Sequence, residues 1–256
     1  MRTLKLTIAY DGTRYTGWQI QETRQQTSES RRQDQKRPTV QGTRERVLRR
    51  ILRERVTVVG SGRTDAGVHA LAQVAHLVTR SPIELNRLHR SVNALLPPEI
   101  AVTRIEEAAP DFHARFQAVS KRYRYRIFTG PVVMPFIRAW VHHVPMPLNL
   151  PLMRREAAAL RGRHDFRAFA RAGPLKDTRR TVISIELRRH GEEIHCDIEG
   201  DGFLHTMVRS IAGTLLDVGR GRLPPGTAQR MVRTGDRRLA GITAPAKGLT
   251  LVSVRY

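Results

Sequence analysis

The chain has 256 residues, with 45 Lys or Arg against 23 Asp or Glu and a formal net charge of +22 at pH 7. Hydrophobic residues make up 40%, which excludes a disordered chain and allows a sizeable core. The sequence has no long apolar run, which excludes a membrane-spanning helix, and the excess positive charge calls for a polyanionic partner, nucleic acid first.

In chain order, residues 3–10 (TLKLTIAY) alternate as a half-buried strand, broken by the Asp11-Gly12 turn. The charged, alternating opening is a strand and no signal peptide, so a cytoplasmic protein is expected. Residues 21–38 are almost purely polar without periodicity, a mobile loop whose Arg24, Arg31, Arg32, Lys36 and Arg37 either grip phosphates or serve as a solvated spacer. Residues 39–53 form an amphipathic helix on Val40, Val47, Leu48, Ile51 and Leu52. A strand at 55–60, a glycine loop and a strand at 70–79 follow. Ser81-Pro82 opens a helix that runs to about Leu96, and residues 100–105 give another strand.

The second half nearly repeats that order. Strands are expected at 121–129 and 138–144, a helix at 150–160, and a hairpin around Gly191. Helices at 203–218 and 224–233 and a strand over 249–256 complete it. The pattern is α+β: two β-α-β-β-α-β-like halves, 1–110 and 111–256, with antiparallel sheets joined around a basic central cleft, since ligands favour such junctions.

Arginine carries the charge, because only Lys5, Lys36, Lys121, Lys176 and Lys247 are lysines. It forks onto phosphates and stacks on bases, which suits nucleic acid. Cys196 is the single cysteine, so there is no internal disulfide, as befits a reducing compartment.

The loop GSGRTDAGVHA (60–70) places one acid, Asp65, among glycines in this basic chain. Gly62 and Gly67 have P-loop spacing, but Val68-His69 stands where Lys-Ser/Thr is needed and a strand follows. A dinucleotide fingerprint fails because Asp65 occupies the third glycine position. No second Asp-Thr/Ser-Gly turn supports an aspartic protease. Neither His142-His143 nor His69 with His76 has zinc-ligand spacing, and no CxxC exists, so no metal is expected. Two readings of Asp65 stay open: a carboxylate delivered to a bound polyanion, with Arg63 gripping that polyanion, or a turn acid capping backbone amides.

The stretch GRTDAGVHA resembles the signature of the tRNA pseudouridine synthases that modify the anticodon arm. YDGTRYTGWQ (10–19), KRYRY (121–125) and GDGFLHTMVR (200–209) are similar as well, so the resemblance spans both halves. It departs at 22–38, where the family has a short link. The resemblance implies an isomerase that breaks the uridine C1′–N1 bond and rejoins the base through C5, at tRNA positions 38–40. By position it implies Asp65 as catalytic acid, Tyr123 as the aromatic over the base and Arg209 as the partner of the acid. Arg63 would hold the extruded nucleotide, with Gly62, Thr64, Gly67, His69 and Tyr125 as further substrate-binding positions. A homodimer acting without cofactor or metal is implied too.

The chemistry is consistent with those roles. Cleaving a glycosidic bond requires a base or nucleophile near C1′, and a desolvated carboxylate stays ionised only beside a guanidinium. Arg209 falls on a helix beside Phe203, Met207, Val208 and Ile211. Tyr123 and Tyr125 share a strand face, and Lys121, Arg122, Arg124 and Arg126 around them suggest base stacking. A pair of core aromatics is the rival reading. Tyr10, Tyr15 and Trp18 serve as core or as a wall for RNA, core being the first reading. Two other functions fit parts of the pattern. A non-catalytic RNA-binding protein fits the charge but has no use for Asp65, and a nucleoside hydrolase lacks a second carboxylate.

Overall fold

The computed structural model describes residues 1–19, 38–171, 173 and 177–256. The basic residues Arg24, Arg31, Arg32, Lys36 and Arg37 of the polar stretch lie outside the described residues. The chain divides into two units, residues 1–119 with 251–256, and residues 120–250.

In the first unit, β1 (Arg2–Tyr10) buries Leu4, Leu6, Ile8 and Tyr10 at every second position, as alternation demands. It pairs antiparallel with β3 (His69–Thr79) and β4 (Ile100–Ala108), so that Leu6 faces Ala75 on one side and Ile105 on the other. Helix α1 (Val40–Leu52) starts at Thr39, whose hydroxyl accepts the Gly42 N–H, and it buries Val40, Leu48 and Leu52. Two expectations need correction here. Of the 55–60 strand only β2 (Val59–Gly60) pairs, with β3. The Val58 N–H goes to the Glu45 carboxylate instead of a ladder. Helix α2 (Leu85–Leu95) begins later than Ser81, because the Glu84 carboxylate takes the N–H groups of Asn86 and Arg87 and sets the cap there.

In the second unit, β5 (Ser120–Phe128), β7 (Gly162–Asp165), β8 (Arg179–His190) and β9 (Glu193–Gly200) form an antiparallel sheet in the order β5-β9-β8-β7. The expected 138–144 strand shrinks to β6 (His142–His143), parallel to β5. Before it the chain turns, with the N–H groups of Ile137 and Arg138 both on the Met134 carbonyl. Helix α3 (Leu150–Ala158) precedes β7. Helix α4 (Met207–Gly219) is buried almost all round, from Met207 and Ile211 to Leu215 and Val218, as an apolar central helix must be. Helix α5 (Thr227–Thr234) has its first turn capped by Glu156, a buried carboxylate that accepts from Gly226 and Ala228. Strand β10 (Leu249–Arg255) closes the chain, and its residues from 251 onward belong to the first unit. The architecture is α+β with mostly antiparallel strands.

Among the described residues no helix is long and apolar enough to cross a membrane. No group of three His, Cys, Asp or Glu side chains among them is arranged to hold a metal.

Candidate active site

The 60–69 loop is held by the segment that precedes it by fifty residues. The Thr64 hydroxyl is 2.8 Å from the Tyr10 hydroxyl, and the Thr64 carbonyl accepts the Trp18 N–H at 3.1 Å. Gly17 has φ +100°, and a Cβ there would lie 2.6 Å from the Thr64 oxygen. Only glycine combines that backbone with that approach. Gly12 lies so close against the Val68 carbonyl that it has no room for a side chain, and Gly60 abuts the Trp18 indole in the same way. The His69 Nδ1 lies 3.1 Å from the Gly12 N–H and 3.1 Å from the Asp11 carboxylate. The Gly62 carbonyl accepts from Gln73, whose amide oxygen takes the Ser61 hydroxyl. Tyr10, Tyr15 and Trp18 are core, as the sequence reading held.

These contacts leave the loop's outward positions fixed by buried neighbours. Thr64 and His69 are buried, Asp65, Gly62 and Gly67 are half-buried, and Arg63 is exposed. Gly67 takes φ +78° so that the Val68 N–H can close on the Asp65 carbonyl. Burial pushes the Tyr10 hydroxyl up to about 12, so it acts as a neutral hydrogen-bonding group at Thr64.

Sequence reasoning missed Arg44, which is buried on α1. Its guanidinium lies 3.9 Å over the Trp18 ring, and its Nε donates to the Val40 carbonyl. Among the described residues Nη1 and Nη2 have no hydrogen-bond partner, and burial pulls the group down to about 10. An arginine at a helix position surrounded by apolar neighbours was the only signal for it.

In the second unit Tyr123, Tyr125 and Ile127 are buried on one face of β5. Tyr123 meets Phe203 edge-on, with ring centroids 5.3 Å apart. Tyr125 has no exposed surface. Its hydroxyl donates to the Pro245 carbonyl at 2.9 Å and its ring packs on Gly248. Burial raises its pKa while the Arg209 and Arg220 charges oppose the rise.

The arginines of β5 do not surround these rings. Alternation turns Arg122, Arg124 and Arg126 to the other face, where Arg122 and Arg124 hold Asp197 and Arg126 grips Glu193 with two nitrogens. Burial works against the Asp197 charge, yet Arg124 and Arg122 keep its carboxyl below the usual range.

Arg209 sits in the first turn of α4, half-buried. Its Nε donates to the Ala244 carbonyl at 2.8 Å, and the Ala244 N–H returns to the Arg209 carbonyl. The 241–245 segment is in turn fastened to α4. Gly241 donates to the Thr214 hydroxyl and Ile242 to Asp217, and the Ile242 carbonyl lies where a side chain on Gly213 would be. Arg209 and Tyr125 thus bond to neighbouring carbonyls, Ala244 and Pro245, of one strap.

A family model described as tRNA pseudouridine synthase matches residues 6–117 and 157–256. The chain belongs to the tRNA pseudouridine synthase family and is an isomerase. It is 42% identical over 257 residues to tRNA pseudouridine synthase A of Moorella thermoacetica, covering all of both chains. Proteins of the same name from Pelobacter propionicus and Geobacter sulfurreducens are 44% and 43% identical, again over the full length of each. Among solved structures, a chain of a Cbf5-Nop10-Gar1 complex aligns with a TM-score of 0.34 at 15% identity, covering 81% of this chain and 43% of that one.

Proposed function

We propose that the protein isomerises uridine to pseudouridine in the anticodon stem-loop of tRNA, at positions 38–40, with Asp65 as the catalytic carboxylate. Tyr123 lies against the base, Arg209 keeps the carboxylate charged, and Arg63 holds the nucleotide out of its stack. Thr64, Gly62, Gly67 and His69 shape the loop that delivers Asp65, and Tyr125 backs the strand that carries Tyr123. The enzyme works as a cytoplasmic homodimer.

The reaction breaks C1′–N1, rotates the uracil and forms C1′–C5. C5 gives up one proton and N1 gains one, so atoms and electrons balance without an oxidant or reductant, and no cofactor or metal is invoked. Extrusion of the nucleotide takes a few kcal/mol, which base stacking and arginine contacts offset.

The observation that carries this reading is the fixing of Thr64. Tyr10, Gly17 and Trp18 all converge on the residue before Asp65, an arrangement suited to a reacting group that must be placed within a fraction of an ångström. The test is Asp65→Asn assayed on transcribed tRNA. Pseudouridine formation should fall by about 10⁴-fold or more, as when an enzyme loses its nucleophile, with tRNA affinity retained. Turnover close to that of the parent protein would refute the assignment.

A further inference from the structure

The first unit carries a second loop that is rigid at its base and bare at its tip. Residues 111–119 wind around His113, whose Nδ1 accepts the N–H groups of Arg115 and Phe116. Gln117 closes the turn from the other side, accepting the His113 N–H and donating to the Asp111 carbonyl. Ala114 between them is fully buried and anchored twice. Its N–H donates to His76 Nδ1 at 3.2 Å, and its carbonyl takes the Tyr256 hydroxyl at 2.7 Å. Burial and the neighbouring His113 keep the His76 ring below its usual pKa, so Nδ1 is available as an acceptor.

This base presents Arg115 and Phe116 outward. Phe116 is 77% exposed. One side of its ring is stacked on His113, with centroids 4.3 Å apart and planes 27° apart, and the Arg115 guanidinium lies 5.7 Å from its centre. An exposed phenyl ring on a flexible loop would be unremarkable, since single apolar side chains are common on surfaces. Here six hydrogen bonds from the side chains of His113, Gln117, His76 and Tyr256 fix the backbone that carries it. A flat apolar face of fixed orientation beside a guanidinium, on a protein of charge +22, matches a nucleobase flanked by phosphate.

We propose that Arg115 and Phe116 form a stacking platform for an unpaired base of the RNA substrate, a contact that rests on the reading of the protein as a tRNA-modifying enzyme. Phe116 takes the base face and Arg115 the adjoining phosphate. A protein partner, including a second copy of this chain, is the competing occupant. The observations favour RNA because the ring is paired with a cation on a protein of net charge +22.

The test measures tRNA affinity and isomerisation for Phe116→Ala, Phe116→Trp and Arg115→Ala, with light scattering on each. Phe116→Ala should weaken tRNA binding about 10-fold, the loss of one base stack. Phe116→Trp should bind like the parent protein. Its emission should be quenched by tRNA beyond the quenching of Trp18 and Trp140, the tryptophans already present. Arg115→Ala should reduce the salt dependence of log Kd by about one phosphate contact.

Unchanged tRNA affinity in Phe116→Ala overturns the proposal. So does a changed molecular mass with tRNA binding intact, which would assign the ring to a protein interface. If Phe116→Ala does not fold, the added quenching in Phe116→Trp decides, and its absence refutes the platform. A parent protein that makes no pseudouridine would instead fail the functional reading on which the platform rests.

Discussion

The two units place the side chains proposed for the reaction by opposite means. In the first, Asp65 rides on a loop that has almost no ladder of its own and is gripped from outside by Tyr10, Gly12, Gly17 and Trp18. In the second, Tyr123 and Arg209 stand on β5 and the buried helix α4, and the Ala244 and Pro245 carbonyls restrain Arg209 and Tyr125. A loop can be retuned at one contact while the rest of its unit stays folded. A central helix cannot be shifted without disturbing the core around it. Position and stability should therefore separate in the first unit and move together in the second.

Among the variants that probe this contrast, Gly213→Ala gives the largest expected effect. The added methyl would displace the Ile242 carbonyl and with it the strap that fixes Arg209. Melting should show a loss of about 3 kcal/mol, the upper range for overpacking, together with a fall in kcat of about 100-fold from misplacement. Loss of stability with kcat intact would break the link between strap and arginine.

Thr64→Val should act more locally. It removes one partner of a buried Tyr10 hydroxyl at about 1–2 kcal/mol, while kcat drops about 10-fold and KM for tRNA stays put. A rise in KM alone would move Thr64 from placing the acid to binding RNA.

Arg124→Ala should do least. It leaves Asp197 with Arg122 as partner and should destabilise by about 1 kcal/mol, with kcat unchanged. A clear loss of rate would return the β5 arginines to the site from which strand alternation removes them.

That last case shows how far the sequence could be read. The alternation that puts Tyr123 and Tyr125 on one face of β5 also sends Arg122, Arg124 and Arg126 to the other. Counting the basic residues as surrounding the rings ignored the period that defined the strand. Strands with a clear period, such as β1 and β5, were legible, as was the β8–β9 hairpin around Gly191. Residues 162–165 show no alternation and become β7 only because β8 lies beside them. The cap of α2 was misread because a hydroxyl before proline is a common start, whereas here Ser81 bonds within its own turn and Glu84 caps the helix. The loop around Asp65 was visible as a cluster of glycines and an acid. Its dependence on residues 10–19 was not, because Gly12 and Gly17 reveal their purpose only when the Val68 and Thr64 carbonyls are seen against them.

Residues 251–256 belong to the first unit although 131 residues of the second intervene. The Arg255 carbonyl takes the Val119 N–H, and the Tyr256 hydroxyl reaches Ala114. A nascent chain that has emerged only as far as Val119 lacks these partners, and bringing them in closes a long loop at an entropic cost. The N-terminal unit is therefore expected to finish folding only after its neighbour has been synthesised, contrary to the usual order for successive domains. Its assembly is completed from the far end of the polypeptide.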